Sequence, residues 1–258
     1  MHVVATTTLS KAELNEDFKA FLNESRIEFV PRQGRSLTNL ARDYEVEGIV
    51  VWDNEGPVLY TGNQKFFFHP SMGKNRIASF RKSGTVDPLV RACALEEDSS
   101  FLDCTLGLGA DAVVASYFSP GGRTVGLESS TPIAYVVKWG MKLYNSKMPW
   151  LNKAVHNIEV VNCDYWTYLR QMADNAFDIV FFDPMFRKPL LKSQAISPLR
   201  LLANNDPLEK SIIEEACRVA KRRVVMKEMV SSLEFERLGF TKILRSSYNK
   251  IGMGVLEV

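Results

Sequence analysis

The sequence is poor in cysteine and nearly balanced in charge. Its four cysteines in 258 residues are widely spaced, form no CxxC pair and have no neighbouring histidine, so they predict neither a disulfide framework nor a metal site. Three of them lie in apolar runs, where a reduced, buried thiol is the ordinary state. A net charge of +2 is too small to indicate a nucleic-acid partner by itself, so such a partner must be argued from local clusters of Lys and Arg.

Long apolar runs and a targeting segment are also lacking. No apolar run reaches the ~18 residues of a membrane span, and the N-terminus does not show the charged, apolar and small-residue order of a signal peptide. We therefore expect a protein of the reducing cytoplasm, with no membrane partner. At 46% hydrophobic and 24% charged residues, the chain has the composition and length of one large domain with a smaller attachment.

Three regions follow one another along the chain. Residues 1–70 alternate short strand-like and helix-like pieces and predict a small α/β unit, in which Ser10 and Glu13 form a capping-box pattern for a helix over about 11–24. Residues 71–98 predict a basic linker or arm, because between His69 and Arg91 the cations face a single acid, Asp87. This region is either a solvated linker or an arm that contacts phosphates.

The third region, residues 99–258, alternates β-branched or aromatic runs with helix-length segments. Such alternation predicts a parallel sheet with helices on both faces. The runs lie at 100–105, 123–128, 157–164, 177–183 and 222–227. Two more runs, at 240–246 and 251–258, are joined by only four residues. Because a parallel crossover needs a longer connection, the sheet is expected to end in an antiparallel hairpin.

Ligands of a parallel sheet bind beyond the carboxyl ends of its strands. Here those ends are predicted to carry four acids and one cation, at Asp103, Glu128, Asp164, Asp183 and Lys227. Charged residues are unusual at the ends of segments that are otherwise so apolar. A lone cation at this edge is expected to pair with a carboxylate or a phosphate.

A glycine turn follows the first of these strands. Gly107 and Gly109 allow backbone amides to approach a ligand at a helix N-terminus, and Glu128, about 20 residues on, is placed to hold the two hydroxyls of a ribose. These features suit a nicotinamide cofactor or S-adenosylmethionine. Asp103 and Asp111 beside the turn disfavour a pyrophosphate and attract an ammonium and a sulfonium. We therefore assign Asp103 and the two glycines to a site for S-adenosylmethionine.

The segments "DCTLGLGADA", "FFDPMF" and "RRVVMK" resemble the RsmJ family, over about residues 65–258. These class I methyltransferases modify the exocyclic N2 of a guanine in small-subunit ribosomal RNA. The resemblance implies a Rossmann-like, mostly parallel seven-stranded sheet with a C-terminal antiparallel hairpin. It also implies cofactor contacts after the turn, at the ribose, at the adenine and where cofactor and substrate meet: Ala110, Asp111, Glu128, Ser129, Asp164, Tyr165 and Asp183.

The chain departs from the RsmJ pattern at two residues and over its first 60 residues. Ala110 and Ser129 stand where that family usually has Arg. The first 60 residues match the family poorly and look more like a Gram-positive-type relative.

The stretch from Asp183 to Lys188 suggests a planar amine as the substrate. The lone pair of an exocyclic base amine is delocalised into the ring, and acceptors at Asp183 and the Pro184 carbonyl favour its nucleophilic geometry. Phe186 is predicted to stack on a flipped-out base. The predicted catalytic residues are thus Asp183, Pro184 and Phe186, and the predicted substrate contacts are Met185, Phe186, Arg187, Lys188 and Lys227. This chemistry needs no metal and no covalent nucleophile.

Three functions remain open from the sequence. The first is S-adenosylmethionine-dependent methylation of a base amine in RNA, with ribosomal RNA or the small ribosomal subunit as partner. The second keeps the cofactor but has a protein side chain or a small amine as substrate. The third is a non-catalytic RNA-binding protein on a degenerate scaffold, which the presence of all four strand-end acids disfavours. His69 and His156 lack metal-ligand spacing and are interpreted as structural.

Overall fold

A computed structural model of the chain describes residues 2–8, 15–184, 207–245 and 250–258. The N-terminal part contains strands β1 (Val3–Thr7), β2 (Glu28–Phe29), β3 (Gly48–Asp53), β4 (Gly56–Thr61) and β5 (Gln64–Phe66), with helices α1 (Glu16–Ser25) and α2 (Leu37–Asp43). These strands form a five-stranded sheet in the order β2-β1-β3-β4-β5. Strand β1 pairs in parallel with β2 and β3, and β3, β4 and β5 form an antiparallel meander.

Helix α1 begins at a different residue from the one predicted. Its N-cap is Asn15, whose side chain accepts a hydrogen bond from the Phe18 amide at 2.8 Å. The expectation that Ser10 caps this helix is therefore wrong. Residues 9–14, which include both Ser10 and Glu13 of the predicted capping box, lie outside the described part of the chain.

The segment expected to be a basic linker folds into two helices, α3 (Ser71–Ser83) and α4 (Pro88–Cys93). Helix α3 packs along α5 (Ala110–Phe118), with the Phe80 and Phe118 rings 4.8 Å apart. Arg76 forms ion pairs with Asp87 and Asp111 and is therefore not a free cation for a phosphate. The segment is thus helical and packed where a solvated linker or arm was expected, and the domain boundaries stay a prediction.

The C-terminal part forms the seven-stranded sheet that the sequence predicts. Its strands are β6 (Phe101–Asp103), β7 (Thr124–Glu128), β8 (Ile158–Asn162), β9 (Phe177–Phe182), β10 (Ala220–Met229), β11 (Lys242–Arg245) and β12 (Ile251–Glu257). The sheet order is β11-β12-β10-β9-β6-β7-β8. All pairings are parallel except those of β12, which runs antiparallel to β10 and β11. The parallel sheet and the terminal hairpin are thus confirmed.

Helices cover both faces of this sheet. They are α5, α6 (Thr131–Leu143), α7 (Pro149–His156), α8 (Tyr165–Gln171), α9 (Lys210–Val219) and the short α10 (Glu234–Arg237). Successive residues of β9 point to opposite faces, so Phe181 and Val180 belong to separate apolar clusters. The cluster around Phe181 continues into the N-terminal unit, where the Trp52 and Trp139 rings meet 5.6 Å apart. Within the described ranges, no helix is both long and apolar enough to span a membrane.

Candidate active site

The carboxyl ends of β6, β9 and β10 lie side by side at one edge of the sheet. In the parallel register Asp103 pairs with Phe181, and Met226 pairs with Phe182. Asp183 and Lys227 each follow one residue later, so both reach this edge. Because hydrogen-bonded strands fix the register, the three charged residues are brought together by the backbone.

Lys227 bridges two carboxylates at this edge. Its Nζ donates hydrogen bonds to Asp183 Oδ2 at 2.6 Å and to Asp111 Oδ2 at 3.0 Å. The side chain of Lys227 is only 17% exposed, so its charge is largely removed from water and depends on these partners. The cation at the strand end is thus paired with carboxylates, and its contact with a substrate phosphate stays a prediction.

The ion pairs continue from Asp111 into the two helices before the sheet. Asp111 Oδ1 accepts a hydrogen bond from Arg76 Nη1 at 2.6 Å, and Arg76 makes a two-bond pair with Asp87 at 2.8 and 2.7 Å. Asp87 also caps α4 by accepting a hydrogen bond from the Leu89 amide at 2.9 Å. We call this alternating series of charges the charge ladder: Asp87, Arg76, Asp111, Lys227 and Asp183.

Thr105 ties the ends of β6 and β9 together. Its hydroxyl accepts a hydrogen bond from the Asp183 backbone N–H at 2.6 Å, and its own N–H donates to Asp103 Oδ1 at 3.0 Å. Sequence reasoning missed Thr105, although a hydroxyl two residues after a strand-end Asp is a known turn pattern. It also missed the role of Arg76, whose partner Asp111 is 35 residues away along the chain.

Burial and charge separate the pKa values of the acids at this edge. Burial, reinforced by Asp111, raises the pKa of Asp103 to about 8. Burial also acts against ionisation of Asp111, but Lys227 and Arg76 outweigh it and hold the pKa of that carboxyl well below its usual range. The Asp183 side chain is 26% exposed, and burial of its carboxylate, opposed by Lys227, raises its pKa to about 6. Asp183 is therefore ionised above that pH.

Two glycines shape the turn between β6 and α5. Gly107 and Gly109 have φ values of 50° and 71°, in the left-handed region that favours glycine. A Cβ on Gly109 would also lie 2.5 Å from Met141 Cε. Ala110 then begins α5, and its carbonyl lies against Gly73 of α3, where an added Cβ would be 3.0 Å away. The predicted glycine turn and the start of α5 are thus closely packed against α6 and α3.

Glu128 ends β7 and lies against the same turn. Its Oε1 accepts the Ser130 amide at 2.8 Å. Burial raises the pKa of Glu128, against the opposing effect of hydrogen bonds from the Ser130, Gly107 and Ser129 amides. Asn162, which sequence reasoning missed, donates to the Glu128 and Ser129 carbonyls at 2.9 and 3.2 Å. The carboxylate assigned to the ribose is thus held next to the turn assigned to the same cofactor.

Asp164 and Tyr165 lie at the start of α8. Asp164 is the N-cap of this helix, accepting the Thr167 amide at 2.9 Å; its pKa is lowered by such hydrogen bonds, which outweigh its slight burial. The Tyr165 ring meets the Phe182 ring edge-on, with centroids 6.0 Å apart. Capping gives Asp164 a structural role, and the contact of both residues with an adenine stays a prediction.

Four predicted residues lie outside the part of the chain that the structure describes, and the two histidines bind neighbouring groups. Met185, Phe186, Arg187 and Lys188 lie outside the described residues, and Pro184 is the last described position before them. The imidazole of His69 is hydrogen-bonded to the Ser71 hydroxyl at 2.7 Å, and that of His156 to the Tyr144 carbonyl at 2.8 Å. Within the described ranges, no group of three His, Cys, Asp or Glu residues could hold a metal ion.

The donor set of this edge fits S-adenosylmethionine. Asp103 is buried with a raised pKa, and a bound cation would stabilise its ionised form. Glu128 offers carboxylate oxygens to ribose hydroxyls beside a glycine turn that brings backbone amides close to a ligand. The positively charged part of the cofactor and its ribose therefore both find partners of the right chemistry.

Comparisons with known proteins agree with this geometry. A family model described as "Putative SAM-dependent methyltransferase" matches residues 66–236. The chain is 35% identical over 230 residues to "Uncharacterized protein YpiP" of Bacillus subtilis, covering 89% of each chain. It is 29% identical over 160 residues to ribosomal RNA small subunit methyltransferase J of Acinetobacter baumannii, spanning 56% of each protein. The corresponding protein of Buchnera aphidicola is 26% identical over 196 residues, covering 72% of this chain and 75% of that one.

A solved structure supports the fold. The crystal structure of a SAM-dependent methyltransferase from Neisseria gonorrhoeae superimposes with a TM-score of 0.64 at 16% identity, covering 99% of this chain and 95% of that one. The match to the family model extends from the last residue of β5 through the whole glycine turn, the ribose acid and the Asp183 edge. The chain belongs to the SAM-dependent methyltransferase family.

Proposed function

We propose that this methyltransferase modifies an exocyclic amine of a base in RNA, and more narrowly the N2 of a guanine in small-subunit ribosomal RNA. The observation that carries the proposal is the position of Asp183. Its Oδ2 is occupied by Lys227 and its backbone is fixed by Thr105, while the side chain keeps 26% of its surface exposed. The Asp183 carboxylate is therefore held in place at the strand edge assigned to the cofactor, with part of its surface open to an amine.

Asp183 has the chemistry that a weakly nucleophilic amine requires. Hydrogen bonds from the amine to Asp183 Oδ1 and to the Pro184 carbonyl turn its lone pair away from conjugation with the ring. The cofactor supplies an electrophilic methyl group. Transfer of this methyl group would break its bond to sulfur, which leaves as a neutral thioether, and would form the N–C bond. The nitrogen would then carry a positive charge and lose one proton, which Asp183 would be placed to accept. With a pKa of about 6, the carboxylate is available to accept a proton near neutral pH.

The narrower assignment rests on the relatives. The proteins from Acinetobacter baumannii and Buchnera aphidicola are named ribosomal RNA small subunit methyltransferases, at 29% and 26% identity. The Asp-Pro pair at the end of β9 is where a planar amine is expected to be held. An RNA base with an exocyclic amine agrees both with the names of these relatives and with the Asp-Pro pair.

The test is a methyl-transfer assay on RNA from cells that lack this protein. We expect radiolabelled methyl groups from S-adenosylmethionine to enter small-subunit ribosomal RNA, to be released by nuclease, and to be identified by mass spectrometry as N2-methylguanosine. Label on another base would refute the guanine assignment, and label in protein or in small amines would refute an RNA substrate. Transfer to none of these by enzyme that binds the cofactor would favour a non-catalytic, RNA-binding role.

A matched variant tests the role of Asp183. Asp183→Ala is expected to reduce methyl transfer by about 100-fold or more, because it removes the acceptor of the amine proton. Binding of S-adenosylmethionine, followed by calorimetry, reports whether the variant's site remains intact. Unchanged turnover in Asp183→Ala would remove this residue from the mechanism.

A further inference from the structure

The segment that leads from β5 into α3 displays one aromatic ring on its outer side. Phe66 and Phe68 are buried, with 1% and 8% of their surface exposed, whereas Phe67 between them is 45% exposed. Strand β5 ends at Phe66, and exposed and buried side chains alternate from Lys65 to Phe68, so alternate side chains point to opposite sides. Lys65, Phe67 and His69 therefore share the outward side, and we call these three residues the ledge.

The ledge has a rigid base. Phe66 lies opposite Leu59 in the antiparallel pairing of β4 and β5. Phe68 packs so tightly against α6 that a Cβ added at Gly140 would lie 2.3 Å from Phe68 Cβ, and its ring meets Tyr144 edge-on at 5.8 Å. The backbone on both sides of Phe67 is thus anchored, and the exposed ring loses little conformational entropy when a ligand covers it.

The ring of Phe67 is not alone on this surface. It lies 5.3 Å from the His69 imidazole, whose Nδ1 is hydrogen-bonded to the Ser71 hydroxyl at 2.7 Å. Burial lowers the pKa of His69, so the imidazole is uncharged near neutral pH. Phe67 is also the only aromatic residue among the exposed large hydrophobic residues of the described ranges. Two neighbouring flat rings, one of them well exposed, are a platform for stacking.

The ledge leads directly into helix α3, which packs against the proposed cofactor edge. Helix α3 starts two residues after His69, and its third residue, Gly73, lies against the Ala110 carbonyl, with 3.0 Å to an added Cβ. One turn further, Arg76 binds Asp111 at 2.6 Å. Ala110 and Asp111 form the first turn of α5 beside the glycine turn. A ligand on the ledge would therefore lie next to the cofactor edge.

The charge of this segment suits a polyanion. Residues 56–86 contain no Asp or Glu. Arg76 of this segment is paired with Asp87 and Asp111, but four further cations add positive charge: Lys65, Lys74, Arg81 and Lys82. Lys65 belongs to the ledge itself, and Lys74 is in the first turn of α3. Exposed cations beside a stacking ring are the combination by which proteins hold single-stranded nucleic acid, because phosphates and bases are bound together.

We propose that the ledge binds an unpaired nucleotide of the RNA substrate next to the target base, with its base stacked on Phe67 and its phosphate near Lys65. This proposal rests on the proposed RNA substrate. The bound nucleotide would orient the strand, so that the target base enters the Asp183 edge in a fixed direction. Stacking tolerates any base, so the ledge contributes affinity and orientation without reading sequence.

Two measurements on the full-length protein test the ledge. The first is the affinity for an unstructured RNA oligonucleotide, and the second is the KM and kcat for ribosomal RNA lacking the modification. Phe67→Ala is expected to weaken binding and raise the RNA KM by about 5- to 150-fold, the range of one lost base stack. The KM for S-adenosylmethionine and the thermal midpoint are expected to stay unchanged, because the ring is exposed.

Two further variants distinguish the loss of base stacking from a non-specific effect of changing an exposed apolar side chain. Phe67→Trp keeps a flat ring and is expected to bind RNA at least as well as the native protein. Val86→Ala shortens an exposed apolar side chain, 37% exposed, beyond the opposite end of α3 and is expected to have no effect.

The possible results show separately whether the proposal for the ledge or the proposed function fails. If RNA is methylated but Phe67→Ala matches the native protein in oligonucleotide affinity and RNA KM, the ledge is overturned and the RNA substrate stands. If the native enzyme methylates no RNA but Phe67→Ala weakens oligonucleotide binding, Phe67 is an RNA contact, but its place beside a target base and the proposed function are both overturned. If neither methylation nor a Phe67-dependent affinity is found, both are overturned.

Discussion

Replacement of Arg76 by Met tests whether the charge ladder stabilises the site. Met keeps much of the apolar length of the side chain but removes the three hydrogen bonds of 2.8, 2.7 and 2.6 Å to Asp87 and Asp111. Both carboxylates are buried, at 8% and 7% side-chain exposure, and each would lose a charged partner. Removing one partner of a buried ion pair costs about 3–5 kcal/mol of unfolding free energy.

The lower end of this range applies to Arg76. Its side chain is 24% exposed, so water screens part of the interaction. Asp87 also keeps the Leu89 amide, and Asp111 keeps Lys227. We therefore expect Arg76→Met to lose about 3 kcal/mol, which for a domain of this size lowers the thermal midpoint by roughly 6–12 °C.

The pH dependence of this loss follows from Asp111. Its pKa in the folded protein is depressed, so the folded state binds fewer protons than the unfolded state once the pH falls below about 4. The stabilisation is fully present above the unfolded pKa and is lost as the pH falls through the folded one. The difference between Arg76→Met and the native protein should therefore be largest near neutral pH and shrink in acid.

Denaturant unfolding and calorimetry measure both effects, with Arg81→Met as the matched control. Arg81 belongs to the same helix but is exposed, donating to the Tyr117 hydroxyl at 3.1 Å and lying over the Trp150 ring at 5.2 Å. Its replacement should cost about 1 kcal/mol or less. Equal losses in Arg76→Met and Arg81→Met would refute the claim that the ladder is a stabilising, buried network.

Three further predictions concern the site. For a reaction that requires ionised Asp183, kcat/KM should rise between about pH 5 and 7 with an inflection near the pKa of about 6; a profile of identical shape in Asp183→Asn would assign the inflection to another group. The pKa of Asp103 is raised to about 8, so between about pH 4 and 8 its carboxyl is protonated in the folded state and ionised in the unfolded state. Native stability therefore falls as the pH rises through this range. Asp103→Asn should therefore gain stability relative to the native protein from pH 5 to 8 in denaturant titrations, and a constant difference would contradict this. Gly109 has a φ of 71°, and an added Cβ would lie 2.5 Å from Met141 Cε, so Gly109→Ala should lower the unfolding free energy by at least about 1–2 kcal/mol and weaken cofactor binding. The double variant Gly109→Ala, Met141→Ala should recover part of this loss. No recovery would mean that backbone strain alone, and not the clash with Met141, causes the loss.

Local patterns were sufficient for the main sheet and for placing charged residues at the ends of its strands. Apolar runs ending in acids predict buried parallel strands, and the glycines after β6 predict a turn, because both signals depend only on neighbours in the chain. The short connection before the last strand predicted the antiparallel hairpin for the same reason. Helix α1 shows the limit of local signals, since Asn15 rather than Ser10 caps it.

The segment from 71 to 98 shows why charge alone does not predict a partner. Five cations facing one acid from His69 to Arg91 suggested a solvated linker or an arm for phosphates. Arg76 instead binds Asp111, an acid 35 residues away that no neighbouring pattern connects to it. Folding brings the two together because α3 packs along α5.

The sequence by itself determined which chemical groups stand at the strand ends, because strand periodicity and glycine turns are local properties of the chain. Tertiary structure alone decided how those groups are used. It joined Asp183 to Lys227, Lys227 to Asp111 and Asp111 to Arg76, and it turned Phe67 outward between two buried rings. The physical reason is that burial and pairing depend on which distant segments meet, and these contacts set the pKa and the orientation of each group.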